Sequence, residues 1–220
     1  MLNVEEIVCP ELTLANCHVK EAMRAILHTV VVCRSIGGTR PIEPCAVHSE
    51  ALDVTYMKTD EDELERELEQ SLRQFGDLFE AHFGRSGSAQ IVLSFYVVKT
   101  RKQSIWNILV GSDEKIVFEQ WRVPVTVQPP RRHLVPAENM REEEDGRSSA
   151  ARQVQDALRF AVGRSSGKVD HLPPPPTSQA SYKFEVSFAA ADGRSLGAGL
   201  LPQGLGSALS QTVKHLPHIS

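Results

Sequence analysis

Two consecutive stretches with strand periodicity, AQIVLSFYVVKT at 89–100 and KIVFEQWRVPVTV at 115–127, constrain the fold of this chain most. Strand side chains alternate between faces, so Trp121, Val123, Val125 and Val127 share one side while Gln120, Arg122, Pro124 and Thr126 share the other. A sheet that is apolar on one side must be covered there, and neighbouring strands of this kind pair antiparallel. Pro124 has no N–H to donate, which predicts an edge or a bulge at that point. The connection over 99–115 exceeds the roughly two to five residues that a hairpin needs, and such long connections are commonly functional or disordered.

The cover comes from helices. In TDEDELERELEQSLRQFGDLFEAHF, residues 59–83, Leu64, Leu68, Leu72, Phe75, Phe79 and Phe83 recur every three or four positions as one apolar stripe. Thr59 or Asp60 is the expected N-cap, with acids loading the first turn. The opposite face, with Glu65, Arg66, Glu69 and Arg73, reads as solvated. A first helix over 19–38 carries Val19, Met23, Ile26, Leu27, Val30 and Cys33 at helical spacing and stops at Gly37 and Gly38. A third helical region follows Pro136, is interrupted by DGRSS at 145–149, and resumes through Val154, Leu158, Ala161 and Val162. Residues 3–15 alternate weakly as a first strand, RPIEPC at 40–45 reads as a loop, and ALDVTYMK at 51–58 as a short strand. A proline-rich linker after Gly163 leads to a last strand at 181–190, with Tyr182, Phe184, Val186 and Phe188 on one face. The fold class expected is α+β: a mainly antiparallel sheet with three helices packed on one face. Residues 1–190 read as one domain and 191–220 as a tail, in which Leu205, Leu209, Val213 and Leu216 would make a short amphipathic helix.

Composition narrows the function classes. With 24 basic against 28 acidic residues and a net charge of −4, the chain offers no general attraction to phosphate backbones, so no nucleic-acid partner is expected. No apolar run approaches the roughly 20 residues that span a bilayer, and the acidic start is unlike a signal peptide, so a cytoplasmic protein is expected. Cysteines 9, 17, 33 and 45 form no CxxC, their spacing with His18 and His48 matches no zinc pattern, and Cys33 continues an apolar helix face. No metal or cofactor is expected. Gly163-Arg164-Ser165-Ser166-Gly167 matches G-x-S-x-G formally, but a nucleophile elbow turns from strand to helix, whereas this serine ends a helix. A hydrolase using Ser165 is the minor alternative to a protein with no catalytic role.

The long connection remains. Trp106 lies there with Ile105, Ile108 and Leu109 beside Gly111, Ser112 and Asp113, where a polar turn would be expected. Either these side chains fold back onto their own core or they form a finger that buries in a partner. Tryptophan suits the second role, since truncating such an anchor typically costs about 2 kcal/mol or more. Lys99, Arg101, Lys102 and Lys115 flank it, so a peripheral membrane contact is a further expectation.

Several strings in order resemble one family: Glu21-Ala22-Met23, Leu27-His28-Thr29-Val30 and Arg34-Ser35; Thr55-Tyr56; LSFYVVKTRKQSIW followed by FEQWRVPVTV; and His171-Leu172-Pro173, Tyr182-Lys183 and Ser187-Phe188. Together they cover most of residues 15–190 and are similar to the autophagy-related protein 101 family, whose members are single HORMA domains. The resemblance implies a scaffold that pairs with the HORMA domain of autophagy-related protein 13 and stabilises it within the autophagy-initiating kinase complex at the phagophore assembly site. It also implies an open HORMA state that locks no peptide under its C-terminal segment. The family's hairpin tip carries a Trp-x-Phe pair that recruits downstream autophagy factors. Here Trp106 matches the tryptophan, and Ile108 stands in the phenylalanine's place, keeping apolar character without the second ring. On this resemblance Trp106, Ile108 and Leu109 form the recruiting finger, and Cys33, Arg34, Asp53 and Tyr56 the pairing surface. A different HORMA adaptor, of the checkpoint or meiotic kind, closing over a peptide, is the other reading.

Overall fold

The computed structural model describes residues 4–35, 43–84, 86–100, 113–129, 136–167, 169–174 and 182–196. The chain runs β1 (Glu5–Val8), β2 (Leu12–Ala15), α1 (Asn16–Ser35), β3 (Pro44–Ser49), β4 (Val54–Thr59), α2 (Asp62–Phe83), β5 (Gly87–Thr100), β6 (Asp113–Gln128), α3 (Pro136–Gly167), β7 (Lys183–Ala190) and β8 (Ser195–Leu196). The α+β class holds. A six-stranded sheet has the order β1-β6-β5-β7-β8, with β2 also on β6. All its contacts are antiparallel except those of β1 and β2, which run parallel to β6.

The predicted alternation organises this sheet. Ile91, Leu93, Phe95, Trp121, Val123 and Val125 are buried on the face that carries the helices. The other face carries Ser88–Thr126 and Gln120–Ser94 hydrogen bonds and is half-buried, with Val92 and Ser94 themselves buried. Pro124 lies at neither an outer edge nor the bulge. Val8 pairs with Arg122 and Leu12 with Val125, so the proline falls where the neighbouring chain passes from β1 to β2 and needs no donor. The weak strand expected over 3–15 is therefore two short strands, parted at Cys9, Pro10 and Glu11.

The stripes of α1 and α2 are mostly buried as expected, with Cys33, Leu64 and Phe83 only half-buried, whereas Val162, named with the apolar positions of α3, is 47% exposed. Leu68, Leu72, Phe75 and Phe79 of α2 enter the core, and Phe75 meets Phe188 of β7 at 5.5 Å between ring centroids. The N-cap position is Glu61, without a side-chain cap, because Thr59 completes β4. Two residues expected to be solvated are engaged: Glu69 pairs with Arg24 of α1 and Glu65 with Lys58 of β4. The DGRSS interruption is absent, since α3 is continuous. Gly146 weakens it locally, but Ala150, Val154, Ala157 and Ala161 are buried, and Arg147 reaches the Glu50 carbonyl at 2.6 Å. The expected loop at 40–45 is a strand from Pro44 onward. β3 and β4 form a separate hairpin against α1, in register Pro44–Thr59 to Ser49–Val54. Asp53 closes its turn at φ 52°, a left-handed conformation that aspartate tolerates better than most residues. The stop at Gly37 and Gly38 and the amphipathic segment at 205–216 lie outside the described residues.

Candidate functional site

β5 and β6 are the longest strands and outrun their neighbours. β7 begins at Lys183, opposite Tyr96, and β1 begins at Glu5, opposite Glu119. Beyond that line Val97–Ile116, Val98–Lys115, Lys99–Glu114 and Thr100–Asp113 continue as a two-stranded ribbon, with no further strand beside it among the described residues. Val98 is 41% exposed on this ribbon. Lys115 lies over the Tyr96 ring at 3.9 Å and pairs with Glu185, so of the cations flanking the connection one is already engaged. Trp106, Ile108 and Leu109 belong to the 101–112 segment between the ribbon's two strands, outside the described residues.

The ribbon's root is built around a bulge. Phe95 pairs with Glu119 and Tyr96 with Val117, which leaves Phe118 as an extra residue. The bulge turns consecutive side chains inward, so Phe118 and Glu119 are both buried. Phe118 packs edge-on against Tyr182 at 4.9 Å, and the Tyr182 hydroxyl donates to the Pro173 carbonyl.

Glu119 has no exposed surface. A carboxylate in such a place requires partners, and three elements supply them. Arg34, in the last turn of α1, donates from Nε to Glu119 Oε1 at 2.7 Å and from Nη1 to the Ser165 carbonyl of α3 at 3.0 Å. The Trp121 indole N–H donates to the same Oε1, and His171, on the stretch after α3, donates from Nε2 to Oε2. The arginine also lies 6.0 Å from the Trp121 ring. Among the described residues Arg34 Nη2 and His171 Nδ1 are buried without a partner.

Of the residues named for a pairing surface, Asp53 is exposed on the hairpin turn and Cys33 is half-buried near the end of α1, its thiol pushed up by burial. Arg34 and Tyr56 are internal, the latter with its ring 6.0 Å from His28. Ser165 sits in the last turn of α3, as expected of a helix end, with its side chain buried. Among the described residues no three His, Cys, Asp or Glu side chains gather as a metal-binding group, and no helix is long and apolar enough to cross a membrane.

Sequence reading missed Glu119 and His171. A signal for the first existed: period two places Glu119 on the face of Trp121 and Val123, where a lone carboxylate demands a cation. His171 had none, because its partner stands 52 residues away across the whole of α3.

Three strings that carried the family resemblance, Arg34-Ser35, FEQW and His171-Leu172-Pro173, thus converge on this one root. Comparison with known proteins agrees. Residues 11–179 match the family model described as autophagy-related protein 101. The protein of that name from Arabidopsis thaliana is 28% identical, with 89% of this chain and 92% of the relative covered. The Homo sapiens protein is 26% identical over 94% and 93% of the two chains, and the Rattus norvegicus protein 34% identical over 53% and 55%. The chain belongs to the autophagy-related protein 101 family, and with it to the proteins of autophagy.

Proposed function

We propose that this protein is a non-catalytic adaptor of the autophagy-initiating kinase complex, acting in the cytoplasm and at the phagophore assembly site. Its HORMA domain pairs with that of autophagy-related protein 13 and stabilises it, while Trp106, Ile108 and Leu109 form a finger that takes up downstream autophagy factors. The observation that carries this reading is the ribbon: among the described residues no strand pairs with β5 or β6 on their outer sides over the last residue pairs before Thr100 and Asp113. A two-stranded ribbon leading to indole and aliphatic residues suits burial in another molecule. The pairing surface lies on the β3–β4 hairpin and the end of α1, with Asp53 and Cys33 as its reachable members and Arg34 and Tyr56 as support beneath. Lys99, Arg101 and Lys102 add a peripheral membrane contact beside the finger.

Replacing Trp106 and Ile108 together with Ala tests the finger. The double variant is expected to keep its melting temperature and its co-purification with the HORMA partner while losing capture of downstream factors. A fall of several degrees in melting temperature would mean that these side chains complete the protein's own core, and the finger would have to be abandoned.

A further inference from the structure

The root of the ribbon is fastened from outside the sheet in a way that the ribbon's own pairing does not require. A two-stranded ribbon with no neighbour twists and bends readily, and a bulge is where such a strand changes direction. Here the bulge at Phe118 coincides with the line where β7 and β1 begin, so the ribbon leaves the sheet at a bend. Two groups on the stretch 169–174 hold that bend. His171 donates to Glu119, and the Pro173 carbonyl accepts from Tyr182, whose ring lies against Phe118. From the other side Arg34 joins Glu119 to the end of α1 and the last turn of α3.

We propose that His171 is a positioning residue for the finger: through Glu119 and the adjacent bulge it sets the angle at which the β5–β6 ribbon leaves the sheet, and so couples finger presentation to the ends of α1 and α3. The coupling rests on the finger reading given above; the fastening itself does not. A partner that displaces the 169–174 stretch or shifts the end of α1 changes what the ribbon presents, without touching Trp106.

The test uses the full chain with Cys17, Cys33 and Cys45 changed to Ser and spin labels at Lys99→Cys on the ribbon and Gln74→Cys on α2. Both label positions are exposed. The parent is expected to give one narrow interlabel distance, His171→Ala to broaden that distribution about twofold, and His171→Gln, which still carries a donor, to restore it. Tyr182→Phe removes only the hydroxyl on Pro173, and its smaller broadening keeps the test open should the alanine variant fail to fold. A distribution as narrow as the parent's in folded His171→Ala, or no rescue by Gln, overturns the proposal. If His171→Ala broadens the distribution while the Trp106 and Ile108 double variant still captures downstream factors, the fastening stands and the finger reading falls.

Discussion

Helix α1 carries two arginines that bind carboxylates, and their surroundings could hardly differ more. Arg34 and Glu119 meet with side chains 2% and 0% exposed, whereas Arg24 and Glu69 meet on the rim between α1 and α2 at 20% and 21%. Arg24 engages both oxygens of Glu69 and also reaches Glu21, which accepts in turn from Ser49 of the hairpin. By hydrogen bonds the two clusters are equal, with four each. The buried one nevertheless dominates, because removing a member there strands a charge that water cannot reach, while on the rim solvent replaces what is lost.

The contrast breaks first at Glu119. Glu119→Ala is expected to lower stability by about 3–5 kcal/mol in chemical denaturation, since it leaves the Arg34 guanidinium buried and unpaired. Arg34→Met combined with Glu119→Leu should lose far less than the two single changes summed. A cost for Glu119→Ala no larger than that of a rim pair would erase the distinction.

His28, between the two clusters on the same helix, sharpens it in pH. Burial pulls its imidazole down to about 4, with Glu65 and Glu69 opposing and Lys58 and Arg24 assisting. The unfolded chain therefore takes up a proton at higher pH than the folded one. Stability is full above about pH 6.5 and falls as the pH drops toward 4, by roughly 3 kcal/mol for this group. His28→Gln should flatten that slope in denaturation curves recorded across the window.

The rim supplies the smallest effect. Arg24→Met is expected to cost about 1 kcal/mol, and the difference from the parent should shrink as salt is raised. Arg24 holds the Glu69 carboxyl below the usual carboxylate range, so its share of stability is present at neutral pH and disappears as the pH falls through the depressed value. A salt-insensitive loss would place this pair in a drier setting than its exposure indicates.

Legibility in the sequence follows the same division. α2, β5 and β6 could be read because a single period governs a long apolar face, and most of the core residues named from it are buried, Leu64 and Phe83 at the ends of the α2 stripe only partly so. β3 escaped because it begins at a proline and buries only Ser49 fully, so its alternation is too weak to detect in the sequence. The continuity of α3 escaped because DGRSS has the composition of a break, while the low local propensity at Gly146 is overridden by the burial of Ala150, Val154, Ala157 and Ala161 further along. The ribbon's root was unreadable as a unit: Arg34 and Glu119 are 85 residues apart, and only tertiary structure makes them neighbours. Trp106, Ile108 and Leu109 were singled out by composition, an indole where a turn would be polar, and the family resemblance supplied the role proposed for them.

β6 sets the order of events during synthesis. Its partners β1 and β2 leave the ribosome more than a hundred residues before the segment they must lie against, since Glu5 waits for Glu119 and Leu12 for Val125. Until then the N-terminal strands have no place in the sheet, and Ile7, Leu12 and Leu14 remain wetted or shielded by other molecules. A nascent chain arrested short of residue 119 should thus hold the first two helices but no closed sheet, and would be a natural client for chaperones.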